Sequence, residues 1–281
     1  MNNFFPLKVV ELKKMTSDSV SIKFDVPEDL AATFSFKEGQ YITLRKEIKG
    51  ESVQRAYSIW KAPHENELTV LVKKVENGIF SSYANEVLAV GEELEVMAPQ
   101  GHFVPELNPT NSNHYTLFAA GSGITPVFSI LKAILKTEAN STIDLFYVNK
   151  TKESTIFKEE IEGLSTNKLK VHNIYTRDNS ENSVVNGRIN KESLELLSQK
   201  GLLNTNSFQF FSCGPESMIL DIKEFLISKG TAESKIKFEL FTTSGSDNVK
   251  EIETDITESK ITITIDDDDF EYLYKIEGSD S

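Results

Sequence analysis

The chain has 281 residues, of which 39% are hydrophobic and 26% are charged, so it is a globular protein long enough for two domains with separate cores. Its net charge of −13 argues against nucleic acid as a partner, since phosphate binding needs a basic surface. The N-terminus lacks the basic region of a signal peptide, and no apolar run reaches membrane-spanning length. The one cysteine, Cys213, excludes an internal disulfide and a cysteine-ligated metal centre, so we expect a cytoplasmic protein with no metal site and no membrane contact.

Residues 1–106 have the pattern of an antiparallel β-barrel. Alternating or strand-length apolar segments are bounded by proline, glycine and asparagine, and they predict strands over 19–26, 39–44, 57–60, 68–75 and 93–97. A serine at the start and Gly91 after the end predict one helix over 82–90. Many short strands separated by turn signals indicate a small barrel domain.

The pattern changes in the polar stretch 105–113, which has the composition of a linker. Beyond it, predicted strands (115–120, 142–148, 169–175, 207–212, 235–241) alternate with predicted helices (126–137, 157–164, 191–199, 217–229). This alternation is typical of a parallel sheet covered by helices, which we expect over 114–241. A second linker is predicted over 242–259, followed within 260–281 by a β-hairpin (260–265 and 270–274) too short for a core of its own.

The first candidate site is the segment Gln-Arg-Ala-Tyr-Ser-Ile at 54–59. In a strand, Arg55 and Tyr57 point to the same face, whereas Ser58 points to the other. A fixed cation beside a flat aromatic ring suits a cofactor with a phosphate at one end and a ring system at the other.

A second candidate site follows in 73–82, where a strand leads through Gly78 into a helix whose first turn contains Ser81 and Ser82. Free backbone N–H groups and the helix dipole favour an anion at such a helix start. The same residues also suit an ordinary N-cap after a turn.

A third candidate site is the Ala-Gly-Ser-Gly-Ile-Thr-Pro segment at 120–126, which follows an apolar strand. Gly121 and Gly123 would let the backbone approach a pyrophosphate closely, and Pro126 suits the first turn of a helix. Two glycines in a tight turn are the alternative interpretation.

Two further segments bear on the nucleotide. Cys213 comes just before a predicted helix, and no histidine motif points to it, so a buried small side chain is its alternative to a site role. Thr176, Arg177 and Arg188 could bind the 2′-phosphate of NADPH, although ordinary surface charge is the alternative for the arginines. Asp178 leaves room for NADH, whose ribose hydroxyl an acid would hold.

Taken in order, these segments resemble the motifs of the ferredoxin–NADP reductase superfamily over residues 4–241. The resemblance implies that Arg55 binds the FAD pyrophosphate, that Tyr57 packs against the isoalloxazine, and that Ser58 contacts its reactive nitrogen. It also implies further contacts with FAD by Val72, Lys73, Gly78, Phe80, Ser81 and Ser82. On the nucleotide side it implies that Gly121, Gly123, Thr125 and Pro126 bind the pyridine nucleotide and that the Cys213-Gly214-Pro215 element lies beside the nicotinamide. It also implies that Glu239 lies near the flavin, although an ordinary amphipathic final strand is the alternative for this segment. Tyr57, Ser58, Cys213 and Glu239 would then be the catalytic set, and Cys213 would orient hydride transfer without acting as a nucleophile.

The implied activity is hydride transfer from NADPH, with NADH as the alternative, to FAD, and then transfer of single electrons to a redox partner protein. The partner would be a ferredoxin or other iron–sulfur protein, a flavodoxin, or an oxygenase component. A stand-alone reductase of free flavin or flavodoxin, and a non-catalytic flavin-binding protein, are the alternatives.

The pattern particularly resembles reductases of the phenylacetyl-CoA epoxidase type, which implies phenylacetate degradation as the setting, and flavodoxin reductases. In such relatives a ferredoxin domain with four cluster-binding cysteines follows. The hairpin at 260–274 is similar to the start of that domain, but no cysteine follows it up to Ser281. We therefore expect no iron–sulfur cluster in this chain, as either a truncated protein or a member that has lost the domain.

Overall fold

The computed structural model describes residues 3–164, 166–177, 185, 187–241, 258–265 and 268–275. Asp178, the possible ribose-binding acid, and residues 242–257 of the predicted linker lie outside the described residues. The chain divides into two compact units, 1–243 and 244–281. Among the described residues, no helix combines the length and the hydropathy needed to cross a bilayer.

The first sheet of the larger unit is antiparallel throughout. Its strands are β1 (Phe4–Thr16), β2 (Ser19–Asp25), β3 (Tyr41–Ile48), β4 (Glu51–Ser58), β5 (Thr69–Lys73) and β6 (Glu93–Met97), in the order β4-β3-β6-β1-β2-β5. Alternate residues of these strands, such as Ile22, Ile42 and Leu44, form a buried interior. The helix α1 (Ile79–Glu86) packs on it through Phe80 and Ala84.

This sheet closes on itself only at one end. The edge strands β4 and β5 meet at a bridge between Ile59 and Val70, where the Trp60 N–H donates to the Thr69 carbonyl oxygen at 3.1 Å. Among the described residues, no further bridge joins the two strands on the side of Arg55 and Lys73. The barrel is therefore open along this edge.

The second sheet is parallel and carries helices on its connections. Its strands are β7 (His114–Ala120), β8 (Thr142–Asn149), β9 (Leu169–Tyr175), β10 (Gln209–Gly214) and β11 (Ile236–Leu240), in the order β11-β10-β7-β8-β9. The helices are α2 (Ile124–Thr137), α3 (Lys158–Glu162), α4 (Lys191–Gln199) and α5 (Glu216–Ser228), and short 3₁₀ turns cover Glu28–Leu30, Pro63–Glu65, Gly121–Gly123 and Glu233–Lys235. Because the strands are parallel, their carboxyl ends meet at one edge.

Barrel and parallel sheet share a core within the larger unit. The Trp60 ring, just after β4, stacks 4.6 Å from Phe157 and 6.3 Å from Phe128. Nearby, the Ser129 hydroxyl donates to the Lys61 carbonyl oxygen at 2.7 Å, and Lys132 pairs with Glu65. These contacts fix the carboxyl edge of the parallel sheet relative to the end of β4.

The smaller unit contains an antiparallel hairpin of β12 (Glu258–Ile265) and β13 (Asp268–Lys275), in which Ile265 pairs with Asp268. The predicted two-sheet fold and the C-terminal hairpin are thus confirmed. One strand was missed, and one local prediction is wrong. The strand β1 was not predicted, and α1 begins at Ile79, not at Ser82, because Gly78 ends the preceding turn and no side chain caps the helix.

Candidate cofactor and nucleotide site

Arg55 and Tyr57 lie on one face of β4, at the open edge of the barrel. They pair across the ladder with the buried residues Leu44 and Ile42, so their side chains point toward the barrel interior. The Tyr57 ring packs 5.5 Å from the Phe80 ring, and burial raises the pKa of the Tyr57 hydroxyl, which the charge of Arg55 partly offsets. A cation and an aromatic ring are therefore placed together at this edge.

Ser58 points to the other face of β4, toward the parallel sheet. It is 3% exposed, and its hydroxyl donates to Glu239 Oε2 at 3.3 Å. Burial raises the pKa of Glu239 to about 7, and the hydrogen bond from Ser58 works in the opposite direction. No cation among the described residues contributes to the pKa of this carboxyl. A half-buried acid with a pKa near neutrality can hold or release a proton at this position.

The start of α1 offers backbone amides to an anion. The N–H groups of Ile79, Phe80 and Ser81 have no partner within the helix, whereas the Ser82 N–H is bonded to the Gly78 carbonyl oxygen at 3.0 Å. The Ser81 hydroxyl accepts from the Val75 N–H at 3.2 Å and donates to Gly78, so it holds the turn. The amide of Ser81, more than its hydroxyl, is available to a ligand.

The main chain of β5 faces the open edge at Lys73. The Lys74 N–H donates to the Asp18 carbonyl oxygen, and by the alternation of an antiparallel ladder the N–H and carbonyl of Val72 then point to β2. The Val72 carbonyl oxygen also accepts from Asn85 Nδ2 at 3.1 Å. The backbone of Val72 is thus already engaged, and that of Lys73 points to the opening.

The Gly121–Gly123 turn joins β7 to α2 at the carboxyl edge of the parallel sheet. Gly121 has φ +53°, and a Cβ atom at Gly123 would lie 2.4 Å from the Cys213 carbonyl oxygen, so no side chain fits there. The Thr125 hydroxyl donates to the Ser122 carbonyl oxygen at 3.0 Å, and Pro126 is buried in the first turn of α2. Close packing of this turn on β10 brings the third candidate site to Cys213.

Cys213 is fully buried at the end of β10, in register with Ala119 of β7 and Glu239 of β11. Burial, followed by the charge of Glu239, raises the pKa of the thiol, so it stays protonated at neutral pH. A neutral thiol fits a positioning role. The next residue, Gly214, leaves no room for a side chain, since a Cβ atom would lie 2.9 Å from that of Ala120, and Pro215 precedes α5.

Thr176, Arg177 and Arg188 lie beyond the end of β9. The Thr176 and Arg177 N–H groups donate to the carbonyl oxygens of Asn149 and Lys150, both at 2.9 Å. The Gly187 N–H donates to Tyr175 at 3.2 Å, which brings the exposed Arg188 back beside the same strand end. Two exposed arginines therefore lie near one corner of the carboxyl edge.

A cleft of about 430 Å³ that no sequence motif predicted lies next to Glu239. It is lined by Tyr41, Gly101, His102, Phe103, Lys237, Phe238 and Glu239. Tyr41 pairs with Ser58 across the β3–β4 ladder, so the two side chains share a face. No local sequence signal marks this cleft, because its walls come from three separated segments.

These features fit FAD together with a pyridine nucleotide. The open edge supplies a ring-stacking tyrosine, an arginine and free helix amides, and the glycine turn at the neighbouring sheet edge is too tightly packed for side chains. The hydrogen bond between Ser58 and Glu239 connects the open edge of the barrel to the parallel sheet.

Comparison with known proteins agrees with this fit. Residues 6–104 match the family model described as the oxidoreductase FAD-binding domain, and residues 117–224 match that of the oxidoreductase NAD-binding domain. These two domains in this order define an oxidoreductase that binds FAD and a pyridine nucleotide.

Similar proteins narrow the class. The chain is 34% identical over 277 residues to a 1,2-phenylacetyl-CoA epoxidase component of Escherichia coli (strain K12), covering 97% of this chain and 78% of that protein. It is 31% identical over 245 residues to the ferredoxin reductase component of 3-ketosteroid-9-alpha-monooxygenase of Rhodococcus rhodochrous, covering 86% and 66%. The fold matches a ferredoxin NADP+ reductase from Neisseria gonorrhoeae with a TM-score of 0.72 at 22% identity, covering 85% of this chain and 99% of that one.

The chain belongs to the ferredoxin–NADP reductase superfamily, as the motifs predicted. It is a flavin-dependent reductase, and the general assignment of FAD and a pyridine nucleotide is confirmed.

Proposed function

We propose that FAD binds along the open edge between β4 and β5 and that the nicotinamide reaches it from the carboxyl edge of the parallel sheet. The observation that carries this proposal is the Ser58–Glu239 hydrogen bond, which joins the end of the Arg55–Tyr57 segment to the strand beside Cys213. When bound, FAD accepts electron pairs from the reduced nicotinamide and releases them one at a time to an acceptor.

The residues of this chain would bind and align the two ligands. Arg55 and the amides of residues 79–81 would hold the pyrophosphate of FAD, and Tyr57 would pack against its ring. Thr125 and the neutral thiol of Cys213 would line the nicotinamide position, where the contact of Gly123 with Cys213 keeps the wall rigid. Ser58 and Glu239 would hold a proton beside the flavin.

NADPH is the proposed donor, and NADH is the alternative. Arg177 and Arg188 support this choice, because both are exposed at the corner where a 2′-phosphate would lie, and a guanidinium binds phosphate with two parallel hydrogen bonds. Replacing either arginine with alanine should reduce kcat/KM for NADPH roughly 10- to 100-fold and leave that for NADH within about threefold. Equal losses with both nucleotides would contradict the assignment.

The proposed acceptor is a separate redox protein, either an iron–sulfur protein or an oxygenase component. The similarity to the epoxidase component and to the ketosteroid monooxygenase reductase supports an oxygenase system. The single cysteine supports an acceptor cluster outside these 281 residues, since such clusters are ligated by four cysteines. Among the described residues, no group of histidine, cysteine and acidic side chains is arranged to hold a metal ion.

The central experiment is anaerobic titration of the purified protein with NADPH. We expect yellow protein with one FAD per chain that bleaches on addition of NADPH. Arg55→Ala should weaken FAD binding roughly 10- to 100-fold, because a charge-assisted contact with phosphate is lost. The control is Arg45→Ala, since Arg45 pairs with Glu95 at 2.7 and 2.8 Å and has no proposed ligand role.

Three results would contradict the proposal. Colourless protein that binds no added FAD would remove its basis. Yellow protein that neither nicotinamide reduces would indicate a flavin-binding protein without turnover. Unchanged FAD affinity in Arg55→Ala would show that the pyrophosphate contact is misassigned.

A further inference from the structure

Asn149, the last residue of β8, carries a side-chain amide nitrogen, Nδ2, that completes no hydrogen bond in the described part of the chain. The residue is 4% exposed, and its Nδ2 atom is closed to solvent without a partner. The Tyr147 hydroxyl lies near enough for the amide to affect its pKa, but it donates to the carbonyl oxygens of Gly121 and Ile156, at 3.2 and 3.1 Å. A buried donor without a partner lowers the stability of the folded protein, and such groups are rare unless they have a functional role.

The surrounding loop does not need this amide. The Thr151 N–H donates to the Ser154 hydroxyl at 3.0 Å, and the Thr155 hydroxyl donates back to the Thr151 carbonyl oxygen at 3.2 Å. The Asn149 carbonyl oxygen is already taken by the Thr176 N–H. The side chain is therefore not required to hold its own strand end or the turn that follows.

Asn149 lies between two parts of the candidate nucleotide site, the Gly121–Gly123 turn and the segment that contains Arg177. The β7–β8 register pairs Ala120 with Val148, which puts Asn149 next to Gly121 on one side. On the other side, the hydrogen bond from Thr176 puts it next to the segment that leads to Arg177. In open parallel sheets, ligands bind at this carboxyl edge.

We propose that the Asn149 amide donates a hydrogen bond to an oxygen of the ribose–pyrophosphate portion of the pyridine nucleotide. This inference rests on the proposed nucleotide site and adds to it a residue that lies outside every motif of the sequence. Binding requires the amide to turn toward the nucleotide, and Nδ2 breaks no hydrogen bond when it turns. The unpaired donor thus gains its partner only in the complex.

The test is equilibrium binding of NADP+ to the FAD-loaded protein by calorimetry, with no turnover involved. Asn149→Ala should raise Kd roughly 10-fold, the usual loss for one hydrogen bond to a ligand oxygen. Asn149→Asp keeps the shape but replaces the donor with a negative charge. It should raise Kd more than alanine if the oxygen belongs to a phosphate, and stay within about threefold of wild type if it belongs to a ribose hydroxyl, which can donate to the carboxylate.

The matched control is Asn140→Ala. Asn140 is exposed in the turn before β8, at the opposite end of that strand, so its loss should leave Kd unchanged. Unfolding temperatures of all variants without NADP+ measure any purely structural role.

A wild-type protein that binds NADP+ together with an Asn149→Ala variant of the same Kd would overturn this inference alone. A lower unfolding temperature with unchanged Kd would assign Asn149 a structural role and overturn it equally. If Asn149→Ala does not fold, Asn149→Leu takes its place, since leucine fills a similar volume without a donor, and an unchanged Kd for NADP+ in that variant would also exclude the contact. A wild-type protein that binds neither NADP+ nor NAD+ would instead overturn the proposed function.

Discussion

Replacing Glu239 with glutamine should remove a pH dependence of stability that this carboxyl group causes. The side chain is half-buried between β11 and the end of β4, and burial raises its pKa from 4.5 to about 7 despite the hydrogen bond from Ser58. Glutamine has the same shape and can still accept that hydrogen bond, but it carries no charge at any pH. The variant therefore isolates the effect of ionisation.

The sign follows from the two pKa values of Glu239. Between pH 4.5 and about 7 the folded protein keeps a proton that the unfolded chain has released, so the stability of the wild type falls as pH rises through this window. A pKa that moves from 4.5 to about 7 corresponds to about 3 kcal/mol in full. We expect about 2 kcal/mol, because water still reaches part of the side chain.

The assay is thermal unfolding of the wild type and Glu239→Gln at equal FAD loading, from pH 5 to pH 8.5. At about 2–4 °C per kcal/mol, the variant should gain roughly 4–8 °C relative to wild type across this range. Ser58→Ala should move the midpoint of the change to higher pH, since it removes the contact that favours the ionised carboxyl. The control is Glu95→Gln. Pairing with Arg45 lowers the pKa of Glu95, so this carboxyl does not titrate near neutral pH, and its difference from wild type should be flat above about pH 6. A flat difference for Glu239→Gln would refute the reasoning.

Two further changes test the packing behind the site. Gly123→Ala should lower the unfolding temperature and weaken NADP+ binding at least roughly 10-fold, as measured by calorimetry. The reason is that the added Cβ atom would lie 2.4 Å from the Cys213 carbonyl oxygen. Normal NADP+ binding would show that the turn can shift to make room. Glu138→Ala should cost about 3 kcal/mol in urea unfolding, since this fully buried carboxylate accepts hydrogen bonds from Tyr115, Ser141 and the Asn108 backbone, whose donors would lose their partner. A loss below about 1 kcal/mol would mean that water replaces the carboxylate.

Local patterns predicted those parts of the fold in which apolar and polar residues alternate regularly along the sequence. The strand β2 alternates cleanly and was predicted within a residue of its observed end. The strand β1 was missed, because its second half is rich in lysine and largely exposed. It exists because it pairs with both β2 and β6, and such pairing depends on partners distant in sequence.

Part of the candidate site could likewise be predicted from local sequence, whereas the rest depends on residues that are far apart in the chain. Alternation predicted that Arg55 and Tyr57 share a face and that Ser58 points away from them. It could not predict what Ser58 meets, since Glu239 lies 181 residues further along the chain. The serine cap at Ser82 was wrong for a local reason: the turn ends at Gly78, and Ser81 binds back to Val75. The unpaired amide of Asn149 has no sequence signature, because only the packed structure reveals that its partners are missing.

The segment 54–59 also fixes the open edge of the barrel relative to the parallel sheet. Ser58 ends β4, the next residue closes the barrel against Val70, and Trp60 enters the core of the parallel sheet, where its ring packs against Phe157 and Phe128. Because rigid packing begins within two residues of Ser58, the linker after the barrel does not determine how Ser58 meets Glu239. Changes to that packing should therefore disturb electron transfer between nucleotide and flavin even where every ligand-binding residue is intact.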